Sequence, residues 1–359
     1  MKQLQFIFVH GLSGWGSYDE HYAKNPYWGM RNGDLMKLLN DKGYPSYAAS
    51  VDPHGSAWDR ACELYAQLAG TRTDYGKAHC EQNKHERYGP DFTGRALIRT
   101  MDADHPLVLT GHSFGGVTVR LFAHLMANGC RQEQEASDPD DLSPFFKGGH
   151  ADLIFGILTL AAPHNGTTAY DLFEDPSFDV DAVKVPPLSR QFAKLITKRN
   201  AIVPDGRAAE DYASYDMHID VADGINQVIA TLPDTYYFSV PCSFTTKKGN
   251  VQYPEVWKME PFFVKTSTQI GAYTGKTKGG MVIDETWQEN DGLVNTISAK
   301  APSHAPSRPF DPGRIEPGIW NIMPVWHGDH MSIQGGLFKK HEVAFFYLEM
   351  VQRFASLLK

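Results

Sequence analysis

Short apolar runs alternate with helical patterns along this chain. Apolar runs at residues 6–9, 107–110, 154–160 and 235–240 predict strands. Residues 33–42 and 60–69 repeat apolar positions at helical spacing. Residues 115–128 give the clearest helix: Val119, Phe122, Leu125 and Met126 share one side, and Gly129 follows as a terminator. Strand and helix in alternation imply a mainly parallel sheet covered on both faces. Three segments break the rhythm. Residues 71–94 are polar and His-rich, and 171–211 hold Pro176, Pro186, Pro187 and Pro204 around a helical piece at 190–199. Residues 301–317 carry five prolines and are predicted to be an irregular surface loop.

Composition narrows the class. A chain of 359 residues is long enough for a large core, and α/β enzymes of this length often fold as one unit. The expected organisation is one domain over residues 1–359, with insertions at 71–94 and 169–211. A net charge of −8 argues against a nucleic-acid partner, because phosphate contacts need clustered Lys and Arg. No apolar run is long enough to span a bilayer, so no transmembrane segment is expected. The chain enters its first strand without a signal peptide, which fits either an intracellular protein or the mature form of an exported one. Cys62, Cys80, Cys130 and Cys242 show no CxxC spacing and are expected to be free thiols, most of them buried.

The chemistry centres on Gly111-His112-Ser113-Phe114-Gly115, which lies between a predicted strand and the clearest helix. That context is the nucleophile elbow of the α/β-hydrolase fold, where a tight turn requires small residues beside the serine. A serine hydroxyl needs a base to take its proton, and the base needs a carboxylate to orient it; here both should follow the serine in sequence. Asp291 in Glu289-Asn290-Asp291-Gly292 stands at a glycine turn before an apolar stretch, and His330 lies on a late loop before the last helix. His327, three residues earlier, stays open as a rival base. Two N–H donors must meet the developing oxyanion. The amide of Phe114 is one, and Leu12 in Val9-His10-Gly11-Leu12-Ser13-Gly14 is assigned the other. His10 and His112 read as packing and loop-bracing residues.

Asp59, His79 and His85 form a second constellation. The polar excursion has little apolar material, and a tetrahedral zinc held by two imidazoles and two carboxylates would order it. Spacing alone favours ordinary solvated histidines and leaves the fourth ligand open.

Several blocks together resemble the zinc-containing bacterial triacylglycerol lipases of the thermophilic bacillus and staphylococcal type. They are His10-Gly11-Leu12-Ser13-Gly14-Trp15-Gly16, Trp58-Asp59-Arg60-Ala61-Cys62, Asp74-Tyr75-Gly76-Lys77-Ala78-His79 with Lys84-His85, Ala162-Pro163-His164-Asn165-Gly166-Thr167, and Asn290-Asp291-Gly292-Leu293-Val294-Asn295. The resemblance implies a triad of Ser113, Asp291 and His330 with Leu12 and Phe114 as oxyanion donors. It also implies a structural zinc on Asp59, His79, His85 and Asp216, with no position left for water.

Two departures from that family matter. Its members often bind calcium through acidic side chains just after the catalytic histidine, whereas Met331-Ser332-Ile333-Gln334-Gly335-Gly336-Leu337 has none, so a calcium site is expected to be absent. The 169–211 lid segment looks short and its first half is acidic; Leu188, Phe192, Leu195 and Ile196 would form only a small apolar face. The expected protein is a monomeric lipase or esterase acting on lipid or other ester substrates, with a reduced lid and weak interfacial activation. Shorter acyl chains or accessible polyesters are its expected preference. Polyesterase and phospholipase are the near alternatives. A non-catalytic ligand-binding protein on the same fold is the distant one, and it predicts a missing triad member.

Overall fold

A computed structural model of the chain describes residues 2–187, 189–191 and 205–358. Seven strands form one parallel sheet: β1 Gln5–Val9, β2 Ser46–Ala49, β3 Leu107–His112, β4 Ile154–Leu160, β5 Tyr236–Val240, β6 Ser307–Pro309 and β7 Trp320–Ile322. Their spatial order is β6-β7-β5-β4-β3-β1-β2.

Side chains alternate across this sheet, and helices cover both faces. Phe6, Phe8, Leu158 and Phe238 pack with Met36 and Leu39 of α1 (Leu35–Asp41) and with Tyr347, Met350 and Phe354 of the last helix. Ile7, Val9, Leu109 and Ile157 pack on the other side, against Leu64 and Leu68 of α2 (Ala57–Ala69) and Val119, Phe122 and Met126 of α3 (Phe114–Asn128). Each large side chain buried in this way contributes roughly 1.5–3 kcal/mol. The result is a rigid platform whose central strands end at one edge, where the loops after β1 and β3 meet. This is the architecture expected from the alternating pattern and the elbow.

Some elements depart from the expectation. Ser46–Ala49 and Trp320–Ile322 are too short to show a pattern in sequence, yet they complete the sheet. The proline-rich stretch 301–317 contains β6, which pairs Ser307, Arg308 and Pro309 with Trp320, Asn321 and Ile322. Proline is tolerated there because β6 is the edge strand, where one row of N–H groups has no partner to lose.

The polar excursion is an antiparallel pair, Arg72–Asp74 with Tyr88–Asp91, enclosing a short helix at Lys77–Asn83. Glu133 anchors that helix by accepting the N–H groups of Ala78 and His79 at 3.0 and 2.8 Å. Of the residues proposed to form the apolar face of the lid segment, Leu188, Phe192, Leu195 and Ile196 lie outside the described residues. All four cysteines are free among the described residues; Cys62, Cys80 and Cys242 are buried, and Cys130 is partly so.

Candidate active site and metal centre

The turn from β3 into α3 places Ser113 at φ 55°, ψ −131°, a conformation that L-residues rarely adopt. Close packing holds it there. A Cβ on Gly115 would lie 2.3 Å from the Val9 carbonyl oxygen, and one on Gly11 would lie 2.7 Å from Ser113 Cβ. Only glycine lets the oxyanion loop and the elbow approach this closely.

Ser113 Oγ is 2.8 Å from His330 Nε2, and His330 Nδ1 is 2.7 Å from Asp291 Oδ2. All three side chains are buried. A carboxylate only accepts, so His330 Nδ1 carries the proton and Nε2 presents a lone pair to the serine hydroxyl. Asp291 is fixed in turn: its other oxygen accepts the N–H groups of Leu293 and Val294 at 3.0 and 2.8 Å, and its carbonyl accepts the His330 N–H at 2.8 Å. The rival base His327 is exposed and lies 3.2 Å from Glu255, on the outer side of the loop.

Two backbone donors stand free beside the serine. The neighbours of Leu12 are engaged: Gly11 N–H donates to the Tyr27 hydroxyl at 3.0 Å, and Ser13 N–H donates to the Pro53 carbonyl at 2.8 Å. Leu12 N–H itself has no acceptor among the described residues, and neither does Phe114 N–H at the start of α3. Leu12 and Phe114 also share an apolar cluster with Val117, Met217 and Tyr170.

Four further residues hold this geometry, and two of them, Tyr27 and Arg60, have no role assigned from sequence. Tyr27 donates to His112 Nδ1 at 2.7 Å, and His112 Nε2 donates to the His330 carbonyl at 2.8 Å. Burial pushes the His112 imidazole well below its ordinary pKa, aided by His330, so it is a neutral brace. His10 is also neutral: burial, then the Arg60 charge, lowers it to about 3. Arg60 is buried, its guanidinium donating to the His10 carbonyl, the Asp52 carbonyl and Thr118 Oγ1 at 2.5, 2.7 and 3.0 Å. It ties the oxyanion loop to α2 and α3. Both His10 and His112 therefore brace loops, as expected. Tyr27 carries no sequence signal. Arg60 lay within a quoted block, but its function depends on contacts distant in sequence.

Behind the oxyanion loop, Asp59, His79, His85 and Asp211 converge, with one donor atom from each within 4.8 Å of all the others. His79 Nε2 is 3.1 Å from Asp59 and 3.2 Å from Asp211; His85 Nε2 is 3.2 Å from Asp211. Both Asp211 oxygens and His85 Nε2 are buried without a hydrogen-bond partner among the described residues. His85 Nδ1 donates to the Glu86 carbonyl at 2.9 Å, which leaves the lone pair on Nε2, facing the cluster. Trp58 stacks on His79 at 5.1 Å, and Arg207 engages the second Asp59 oxygen at 3.1 Å. Two imidazoles and two carboxylates, with orphaned lone pairs on His85 and Asp211, are a donor set that fits a divalent metal ion.

The fourth ligand differs from the expectation. Asp216 is not in the cluster; its carboxylate instead accepts the Ala57 N–H at 2.7 Å, at the start of α2. Desolvation, together with the neighbouring Asp211 and Asp59, pushes its carboxyl up to about 7, against the pull of the Ala57 bond. Asp211 takes the ligand position because the 3-10 turn Ala209–Asp211 aims it inward, whereas five residues later the chain has turned over the end of α2.

Residues 2–184 match the family described as lipase-like, C-terminal domain. Lipase 1 of Staphylococcus aureus is 31% identical over 93% of this chain and 51% of its own length, and the lipase of Staphylococcus hyicus 32% identical over 92% and 53%. The chain thus spans about half the length of the curated relatives it matches. Among solved structures, EstA from Clostridium botulinum aligns with TM-score 0.83 at 29% identity, covering 98% of this chain and 87% of that one. Lipase 1 from Pelosinus fermentans aligns with TM-score 0.80 at 29% identity over the whole of both chains. From its sequence match and from a hydrolase fold shared with lipases and esterases, the chain belongs to the lipase-like, C-terminal domain family.

Proposed function

We propose that this protein is a serine carboxylic ester hydrolase of the lipase/esterase kind. The observation that carries this reading is the buried relay of Ser113, His330 and Asp291 at 2.8 and 2.7 Å, with two unengaged N–H groups beside it. His330, held in its tautomer by Asp291, takes the Ser113 proton as the hydroxyl attacks an ester carbonyl. The amides of Leu12 and Phe114 receive the oxyanion, and His330 returns the proton to the leaving alcohol. Water, deprotonated by the same histidine, then releases the acid and frees Ser113. The apolar cluster of Leu12, Val117, Met217 and Tyr170 suits an acyl chain better than a polar substituent.

Zinc is the metal this donor set suits, held by Asp59, His79, His85 and Asp211. With four protein ligands its contribution is to lock the excursion and the returning lid segment onto α2. The ester chemistry remains with Ser113 and its partners.

Acylglycerol-type esters with short acyl chains are the proposed substrates, given the acidic first half of segment 169–211. Fluorophosphonate labelling tests the nucleophile: the adduct is expected on Ser113, and its absence would sink the enzyme reading. A chain-length series of nitrophenyl esters tests selectivity. Steep activation above the solubility limit of a long-chain triglyceride would overturn the reduced-lid reading.

A further inference from the structure

The loop that carries His330 is fastened on both sides to one short stretch, residues 257–260, some seventy to eighty positions earlier in sequence. Before the histidine, Asp329 is buried, and its Oδ2 accepts the Glu260 N–H at 2.6 Å while Oδ1 accepts the Met331 N–H at 3.1 Å. After it, one oxygen of the buried Glu260 carboxylate accepts three consecutive N–H groups, those of Leu337, Phe338 and Lys339, at 2.9, 2.6 and 3.0 Å. Lys339 then reaches back: its Nζ donates to the carbonyls of Trp257 and Met259 at 2.6 and 2.9 Å. Among the described residues, no side chain of opposite charge lies within salt-bridge distance of Glu260 or Lys339. Glu260 Oε1 and Lys339 Nζ are each met by backbone dipoles of the other's segment, while Glu260 Oε2 is buried without a hydrogen-bond partner among the described residues, so the carboxylate depends on the loop's three N–H groups.

We infer that Glu260, Asp329 and Lys339 form a reciprocal clasp that positions His330 for proton transfer. The inference rests on the reading of Ser113 and His330 as nucleophile and base. None of the three touches the reacting atoms; they are positioning residues acting through the backbone at 329–339. The aromatic side supports the same placement. Phe263 follows the 257–260 stretch and packs edge-on against the His330 ring at 5.8 Å, while Phe262 contacts Phe263 and Phe338 at 4.5 and 6.0 Å. A shift of the 257–263 stretch would therefore move the imidazole from two directions. A proton transfer set for 2.8 Å tolerates little of this.

Lys339→Met tests the clasp with least risk to folding, because Lys339 is only partly buried and methionine keeps much of its stem. On a small soluble nitrophenyl ester, kcat is expected to fall about tenfold with KM within twofold of the parent. The rate of fluorophosphonate labelling at Ser113 should fall by the same factor, and the low-field proton resonance of the His330–Asp291 bond should weaken. Lys339→Arg should restore most of kcat, since a guanidinium still reaches two carbonyls. Glu260→Gln, which keeps the acceptor and loses the charge, should give an intermediate loss. Unchanged kcat and resonance in Lys339→Met, with Ser113→Ala inactive, would overturn the clasp alone, whether or not the melting temperature falls. Activity surviving in Ser113→Ala would overturn the reading of the site and the clasp with it.

Discussion

The phenol of Tyr27 donates to His112 Nδ1 at 2.7 Å, and through that bond the two sides of the site share one support. The same oxygen accepts the Gly11 N–H of the oxyanion loop, while His112 holds the carbonyl of His330. Donor, brace and base are therefore linked by three hydrogen bonds that cross from β1 to the histidine loop. Tyr27→Phe removes two of them without changing the packing volume. Its expected effect is a loss of about 1–3 kcal/mol of stability from the unsatisfied His112 and Gly11 groups. A fall in kcat of about tenfold, with KM nearly constant, should accompany it. Urea unfolding and steady-state kinetics on a soluble ester check both.

Asp291→Asn should reduce kcat by on the order of 10⁴-fold, the scale known for losing the carboxylate that sets the histidine tautomer. An asparagine amide can donate to Nδ1, which would leave the proton on Nε2, facing the serine. Activity within tenfold of the parent in a nitrophenyl ester assay would mean that another acid orients His330.

Metal content separates the two candidate fourth ligands. Asp211→Ala should lose bound zinc by elemental analysis and melt at lower temperature, whereas Asp216→Ala should retain one equivalent. Removing zinc with a strong chelator should lower the melting temperature of the parent protein and leave that of Asp211→Ala unchanged. Calcium titration calorimetry should show no tight stoichiometric binding, since the segment after His330 offers no carboxylate; a stoichiometric heat would contradict this.

Asp329 gives a pH dependence of defined sign. Burial raises its carboxyl to about 6, with Glu260 and Asp291 adding to the shift and the Glu260 N–H opposing it. A folded pKa above the unfolded value means the folded state takes up a proton between roughly pH 4 and 6, so stability from this group falls as pH rises through that window. Two units correspond to about 3 kcal/mol, as an order of magnitude. Asp329→Asn should flatten the stability profile between pH 4 and 7 relative to the parent, measured by urea unfolding. Parallel profiles would show that Asp329 is not protonated there.

The parts of the site that sequence reveals are those made by neighbours in the chain. Ser113 stands out because the elbow needs glycine on both sides, a strand before it and a helix after it, all between Leu107 and Asn128. Asp291 and His330 follow from the order the fold imposes. The choice between His330 and His327 is one of side-chain direction on a loop, and only the fold decides it. Asp211 and Asp216 pose the same problem, since a carboxylate near the right place has no sequence mark for turning inward. Tyr27 and the 257–260 clasp join segments 69 to 85 residues apart, so no local pattern announces them.

Thr168, which precedes the proposed lid segment 169–211, donates its N–H to Asn295 Oδ1 at 2.9 Å, and Asn295 Nδ2 returns a bond to its hydroxyl at 2.8 Å. The proposed segment ends at Asp211, among the side chains of the candidate metal site. One root is thus tied to the turn that holds Asp291, and the other to the cluster behind the oxyanion loop. For protein engineering these are natural splice points. Stretches exchanged between them with relatives of this family would inherit both moorings, and a change in ester chain-length preference after the exchange would test the proposed lid role.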